Sequence, residues 1–336
     1  GPALSVAEEN NGQWSQAAVG FARKHDTALD DLLIIENGQR IATKIIKKGA
    51  DSSALIPGIV ADSVASLPIS RKMRWGKTRH EFLRPVQWLV LIFGENVLPL
   101  ELFGLNSGRK SRGHRHHRDV EVSINKPECY ESLLFENKII ADFEVRREKI
   151  ISQVNALTKN NERVSMPQDL LDEVTGLVEW PMALRGSFDE EFLKIPSLAL
   201  ISTMKKHQKY FHLTNTASGE LLPAFITVSN IESSSPSVVI AGNERVIKPR
   251  LSDAAFFLNN DKKSTLALKQ PLLAGVVFQN RLGTLLDKTN RVAALAKELS
   301  IRMEANSKIV VRAAELSKCD LVSEMVLEFP EMQGIA

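Results

Sequence analysis

Apolar positions along the chain switch repeatedly between a helical and a strand period. In "SQAAVGFARKH", Ala17, Ala18, Phe21 and Ala22 lie on one helical face, and in "LIPGIVADSVASLP" Ile56, Ile59, Val60 and Val64 do so until Pro68 ends the run. "IATKIIKKG" alternates as a strand does. "VQWLVLIF" and "VLPLELFG", separated by Gly94-Glu95-Asn96, predict a hairpin whose strands are apolar nearly throughout and therefore buried. Helices follow in "PECYESLLFENKII" and "FEVRREKIISQVNALTK", the second with Val145, Ile150, Val154 and Leu157 in a rough stripe. "LLDEVTGLVEWPMALRGSF" moves from helix to strand, and Pro181 inside its apolar part marks an edge strand or a bulge.

After "PSLALISTM", a helix with Pro196 in its first turn, two strand-like runs, Lys209 to Leu213 and Pro223 to Ser229, flank "TNTASGE" with its Ser218-Gly219 turn. Strand alternation puts Phe211 and Leu213 on one side and Tyr210 and His212 on the other. "IESSSPS" reads as a flexible loop. Two helical runs close the sequence. "KTNRVAALAKELSIRM" carries Val292, Leu295, Ala296, Leu299 and Met303 behind Thr289 as N-cap, and "SKIVVRAAELSKCDLVSEMVLEF" carries Val310, Ala313, Ala314, Leu321 and Met325. The pattern predicts an α+β, multidomain chain with a mixed N-terminal region over 1–120, an α+β domain over 121–270 and a helical region over 275–336.

Length and composition agree with that division. At 336 residues, 43% hydrophobic and 25% charged, the chain has the makeup of a globular protein with more than one core. No apolar run reaches the length of a membrane span and no signal-peptide pattern opens the chain, so a cytoplasmic protein is expected. Cys129 and Cys319 are too few for a disulfide framework or a cysteine-based zinc site, which fits a reducing compartment. The chain opens "GPALSV" without Met and stops at "EMQGIA" just after a helical run, so it is expected to be a piece of something longer.

Charge changes the picture more. The net charge is only +3, yet residues 71–118 hold eleven Lys/Arg against Glu81, Glu95 and Glu101, which leaves the remainder net acidic. A basic stretch on a mildly acidic chain is the footprint of a polyanion partner; a solvated loop has the same composition. Within the window, "GRKSRGHRHHR" contains Arg109, Lys110, Arg112, Arg115 and Arg118 with His114, His116 and His117 and no acid. Cationic neighbours disfavour a bound metal there, and such a loop more often meets phosphate. A smaller cluster is "MKKHQKYFHL", where Lys205, Lys206 and Lys209 are placed for RNA phosphates and Tyr210 or His212 for stacking, or where all of them simply decorate a sheet edge. The first cluster is the stronger candidate for RNA.

Signs of catalysis are lacking. GxxxxGK[ST], GxGxxG between strand and helix, and HExxH do not occur. The acidic pairs Asp172-Glu173 and Glu190-Glu191 lie on ordinary helix or turn surfaces, so no catalytic or metal-binding residue is assigned.

Several long motifs then carry a resemblance. "LPISRKMRWG", "FLRPVQWLVLIFG", "RGHRH", "LLDEVTGLVEWP", "FLKIPSLALISTMKKHQKYFHL", "GELLPAFITVSNIES", "GNERVIKPRLSDAAFFLNND", "LGTLLDKTNRVAALA" and "ELSKCDLVSEMVLEFPEMQGI" follow one another as in the β subunits of bacterial heterotetrameric glycyl-tRNA synthetases. The chain resembles roughly the N-terminal half of that subunit, without its first segment.

The resemblance implies an α2β2 assembly in which the α subunit holds ATP, Mg2+ and glycine, while the β subunit binds tRNA-Gly and supports aminoacylation. It implies that the fragment alone is inactive and holds no cofactor. It further implies a middle domain similar to the phenylalanyl-tRNA synthetase editing fold and a truncated helical HD-type domain from about 275. Two positions depart from the pattern. The His-Asp doublet of HD hydrolases reads Ser317-Lys318-Cys319-Asp320, and the family's GHRF reads GHRH, with His116 replacing an aromatic. A hydrolase role, in editing or as an HD phosphohydrolase, and a purely structural scaffold are the alternatives.

Overall fold

The computed structural model describes residues 1–9, 12–35, 39–45 and 49–335. It is mixed α/β, with helix well ahead of strand (48% against 17%), and its sheets are small. The chain forms two compact units, Gly1–Gln87 with Asn96–Gly108, and Trp88–Glu95 with Arg109–Ala336.

The first unit contains the expected helix, Gln16–Lys24, after a short one at Leu4–Ala7. Ser15 caps it by accepting from the Ala17 amide, and Ala18 and Ala22 are its buried residues. They pack with Ala7, Leu32 and Ile41, with Leu4, Trp14, Phe21 and Leu29 around them. The strand expected in "IATKIIKKG" is confined to Arg40–Ala42, which pairs antiparallel with Leu33–Ile35; residues 46–48 of that stretch lie outside the described residues. A helix spans Ser52–Ala65 behind Asp51, whose carboxylate accepts from the Ser53 amide, and it stops before Pro68. Its face is only half-buried, and Ile59 is largely exposed.

The apolar hairpin differs from expectation. Ile92–Phe93 and Asn96–Val97 are two-residue strands around Gly94, whose φ is +60°, but of the two runs only Leu98 is buried; Trp88 and Phe93 are nearly half exposed. The pieces are too short to form a sheet that covers them, so a continuous apolar run here does not mean a central strand.

The second unit is built on a four-stranded antiparallel sheet in the order Glu162–Val164, Phe211–Asn215, Leu221–Ser229, Met182–Ser187. Met182–Ser187 is an edge strand that begins immediately after Pro181, as a residue without an amide hydrogen requires. Alternation sorts the side chains of the two inner strands onto opposite faces. Phe211, Leu213, Ala224 and Ile226 pack against Ile150 and Val154 of the Phe143–Ala156 helix and Leu170, Leu171 and Val174 of Gln168–Leu177. Tyr210, Leu221 and Phe225 pack the other way, against Leu200 and Met204, Ile247 and Leu251 of the long Pro236–Asp261 helix, and Met325, Phe329 and Met332. The sheet is therefore covered on both faces, and the last residues of the chain share a core with its middle. Val145, expected in the helical stripe, is half exposed.

The helix Leu285–Arg302 is capped by Thr284 rather than Thr289. The Thr284 hydroxyl accepts from the Asp287 amide while the Asp287 carboxylate accepts from the Thr284 amide, a reciprocal box that Thr289 has no acid to form. Thr289 sits inside the helix, 2% exposed. Val292, Leu295, Leu299 and Met303, expected as core, are all exposed. The run expected from Ser307 onward splits into Ser307–Leu316 and Glu324–Glu328 around a short 3-10 turn, with Ala314 and Met325 buried.

Candidate nucleic-acid interface

The basic stretch is a hairpin closed by a tight loop. Lys110–Arg112 pairs antiparallel with Glu121–Ser123, in the register Arg112 opposite Glu121 and Ser111 opposite Val122. Ser111 and Val122 turn inward and are buried, so Lys110 and Arg112 point to solvent. Gly113 follows because nothing larger fits: a β-carbon there would lie 2.3 Å from the Arg118 carbonyl oxygen. Its amide donates to the Val120 carbonyl at 3.0 Å.

His114 organises the loop from inside. It is 1% exposed, its amide donates to the Asn137 carbonyl (3.0 Å), and its carbonyl accepts from the amides of His117 (3.1 Å) and Arg118 (2.7 Å). Its Nδ1 accepts from the amides of His116 (3.2 Å) and His117 (3.3 Å), which places the proton on Nε2. That Nε2 is buried with no hydrogen-bond partner among the described residues. His114 thus holds the loop's shape from within, while His116, in the position where the resemblance expects an aromatic, is exposed.

The five cations of the loop are not equivalent. Lys110 pairs with Glu121 at 2.7 Å and Arg112 with Asp119 at 3.3 Å. Arg109 donates to the carbonyls of Glu95 (3.1 Å) and Asn125 (3.4 Å). Arg115 and Arg118 are exposed and make no side-chain ion pair among the described residues. The loop sequence contains no acid, but the segment that follows it supplies two, Asp119 and Glu121.

The second cluster is neutralised. Thr203–His207 forms a π-helical turn, and Lys209 takes the left-handed conformation (φ +59°) that re-aims the chain into the Phe211–Asn215 strand. Lys205 pairs with Asp169 at 2.8 Å, Lys209 with Glu173 at 2.7 Å and Lys206 with Glu331 at 2.7 Å. Asp169 and Glu173 are four apart on the Gln168–Leu177 helix and so face the same way. The Lys205 hydrogen bond holds the Asp169 carboxyl below its ordinary range. Tyr210 is turned into the core: 3% exposed, stacked on Phe225 at 4.4 Å with ring planes 8° apart, its hydroxyl donating to Asn243 Oδ1 at 2.7 Å. Burial pushes its phenol up to about 12, so it remains a neutral donor. The structure gathers Arg109 to Arg118 on one hairpin and Lys205 to Lys209 on one turn, and removes Tyr210 from the surface.

Sequence reading missed a third group. Lys138, Lys149 and Trp180 come together around Glu232, whose amide donates to His117 Nε2 at 3.0 Å. These residues are scattered over almost a hundred positions, so no local spacing announces them.

In the stretch Ser317 to Asp320, Cys319 and Asp320 are buried. Asp320 Oδ2 accepts from the Gly334 amide at 2.6 Å, and its carbonyl accepts from the Ser323 hydroxyl at 2.6 Å, while Ser323 caps the Glu324–Glu328 helix. Burial raises the Cys319 thiol above its ordinary value. Among the described residues no three His, Cys, Asp or Glu side chains are grouped to hold a metal ion. Nor is any helix among them long and apolar enough to cross a membrane.

Comparison with known proteins agrees with the motif order. The family model described as "Glycyl-tRNA synthetase beta subunit" matches residues 1–336. Proteins named glycine–tRNA ligase beta subunit are 49% identical in Chromohalobacter salexigens over 100% of this chain, 47% in Hahella chejuensis over 99%, and 47% in Stutzerimonas stutzeri over 100%. The class is thus that of aminoacyl-tRNA synthetase subunits. The chain belongs to the glycyl-tRNA synthetase beta subunit family. It spans about half the length (49%) of these relatives.

Proposed function

We propose that this chain is a tRNA-holding, non-activating part of a glycine–tRNA ligase, working in the cytoplasm with an α subunit that binds ATP, Mg2+ and glycine in an α2β2 assembly. The observation that carries the RNA-binding half of this reading is the Gly108–Arg118 loop. It presents Arg115 and Arg118, which have no carboxylate partner among the described residues, on a turn whose shape is fixed by Gly113 and the buried His114. A guanidinium that faces solvent on a rigid loop reaches a phosphate at little ordering cost, and each such contact releases condensed counterions. The neutralised lysines of the second cluster offer less, since each must first leave its carboxylate.

The test is tRNA-Gly binding by the full-length β subunit together with its α subunit, measured across salt concentration. Replacing the five loop cations by Gln is expected to weaken binding and flatten its logarithmic salt dependence while the melting temperature holds. Unchanged affinity and slope overturn the reading in favour of the scaffold alternative. The non-activating half is tested by glycine-dependent pyrophosphate exchange, which the purified chain alone is expected not to perform. An HD-type hydrolase role is disfavoured by the engagement of the buried Asp320 carboxylate with the Gly334 amide.

A further inference from the structure

Beside the basic loop, two ammonium groups lie against one indole. Lys149 Nζ is 3.8 Å and Lys138 Nζ 4.5 Å from the ring of Trp180, which is 7% exposed. The carboxylate in ion-pair contact there is Glu232, and it is shared. Its Oε2 accepts from Lys138 Nζ at 3.1 Å and from Trp180 Nε1 at 3.1 Å. Lys149 is half-buried and has no carboxylate within ion-pair distance among the described residues. The site therefore holds two cations to one anion.

A half-buried cation without a counter-ion is costly. The ring face offsets part of the lost hydration, but a second lysine close by adds repulsion. Burial first, then Lys138, lowers the Lys149 ammonium from its ordinary value, while Glu232 opposes them. The neighbourhood also contains His117, held below its ordinary value by burial and by His114 and accepting from the Glu232 amide. His117 is thus a neutral acceptor that brings no further positive charge, and it clasps the basic loop to the 230–232 segment.

We infer that Lys149 and Lys138, against Trp180 and beside the His117 clasp, form a subsite for a backbone phosphate of the RNA strand that the Gly108–Arg118 loop grips. An incoming phosphate supplies the missing anion. RNA is favoured over a free anion by continuity: His117 lies in the loop sequence between Arg115 and Arg118, and its Nε2 accepts from the amide of Glu232, the residue that Lys138 and Trp180 contact. Glu232 competes with that phosphate and sets the affinity from the opposite side. The inference rests on the loop being an RNA-binding surface.

The test uses the full-length β subunit with its α subunit and tRNA-Gly. Lys149→Gln is expected to weaken binding and to reduce the logarithmic salt slope by about 0.7–0.9, the share of one phosphate contact, with Lys149→Arg restoring both. Glu232→Gln keeps the backbone donor to His117 and removes the competing charge, so binding is expected to tighten. Amine-reactive labelling of Lys149, read by mass spectrometry, is expected to fall when tRNA-Gly is added. Lys149→Gln binding like the parent, at equal melting temperature, while the five-cation loop variant loses binding overturns this inference and leaves the loop reading intact. Loss by neither variant overturns both. Protection of Lys149 by inorganic pyrophosphate but not by tRNA overturns the RNA assignment in favour of a free-anion site.

Discussion

Two basic clusters of similar sequence character have opposite fates in the structure. Lys205, Lys206 and Lys209 each face a carboxylate carried by another segment, Asp169, Glu331 and Glu173. In the Gly108–Arg118 loop, Lys110 and Arg112 are matched by Glu121 and Asp119, whereas Arg115 and Arg118 have no ion-pair partner among the described residues. The lesson is that a charge count measures supply, and only the tertiary arrangement measures what is left over for a partner. A neutralised lysine is a strap between elements. An unmatched arginine on a braced turn is a contact waiting for an anion.

Removing the unmatched charges alone has the largest expected effect. Arg115→Gln with Arg118→Gln is expected to reproduce more than half of the affinity lost by the full five-residue replacement, and to lower the salt slope by roughly 1.4–1.8 for two phosphate contacts. If the paired Lys110 and Arg112 prove to matter more, pairing is no guide to RNA contact here. Next in size is Tyr210. As a core residue stacked on Phe225, its replacement by Ala should cost roughly 3–5 kcal/mol of stability, in the range of other aromatic-to-alanine core changes. Tyr210→Phe should cost roughly 1–3 kcal/mol, because Asn243 Oδ1 is left without its donor. Chemical denaturation measures both; a loss of tRNA affinity by the Phe variant without loss of stability would make Tyr210 an RNA contact after all.

A smaller effect comes from the sheet itself. Glu162, on one edge strand, receives Arg185 from the other through two hydrogen bonds of 2.6 and 2.8 Å. The Arg185 hydrogen bonds are the main cause that holds the Glu162 carboxyl below its ordinary 4.5. A depressed folded value means the stabilisation is complete above the unfolded value and is lost as pH falls through the folded one. The melting temperature of the parent should therefore drop more steeply below about pH 4.5 than that of Glu162→Gln; parallel curves would show that the pair contributes nothing. Smallest of all is the change on replacing Lys205, Lys206 and Lys209 by Gln. Surface ion pairs of this kind are screened and weakly stabilising, so a slight fall in melting temperature that shrinks at high salt is expected, with tRNA affinity nearly unchanged. A larger loss of affinity than in the loop variant at equal stability would invert the ranking of the two clusters.

Helices with strong periodicity were legible because their signals are local. Gln16–Lys24 has its cap and its alanine face within ten residues, and the single imide of Pro181 marked an edge strand or a bulge, of which Met182–Ser187 is the edge strand. The basic loop was legible for the same reason. Its matching acids Asp119 and Glu121 were only a few residues away, yet their role depended on strand register, which composition does not give. Leu285–Arg302 shows a different limit. Its apolar stripe was read as a core face, but Val292, Leu295, Leu299 and Met303 are exposed in this chain, and periodicity alone does not name what covers a face.

The order of long motifs already carries the family, and local patterns already carry many of the helices, though not the long Pro236–Asp261 one, together with the central hairpin and the position of the basic loop. All of these depend on residues close together in the chain. That Tyr210 belongs to a second core follows from packing in space, because alternation tells which residues share a face and not whether that face is covered. Spatial arrangement also sets that three lysines are neutralised, that Arg115 and Arg118 have no ion-pair partner among the described residues, and that Lys138, Lys149, Trp180 and Glu232 meet at all. Those outcomes depend on groups far apart in sequence, and Coulomb and packing energies depend on distance in space rather than along the chain.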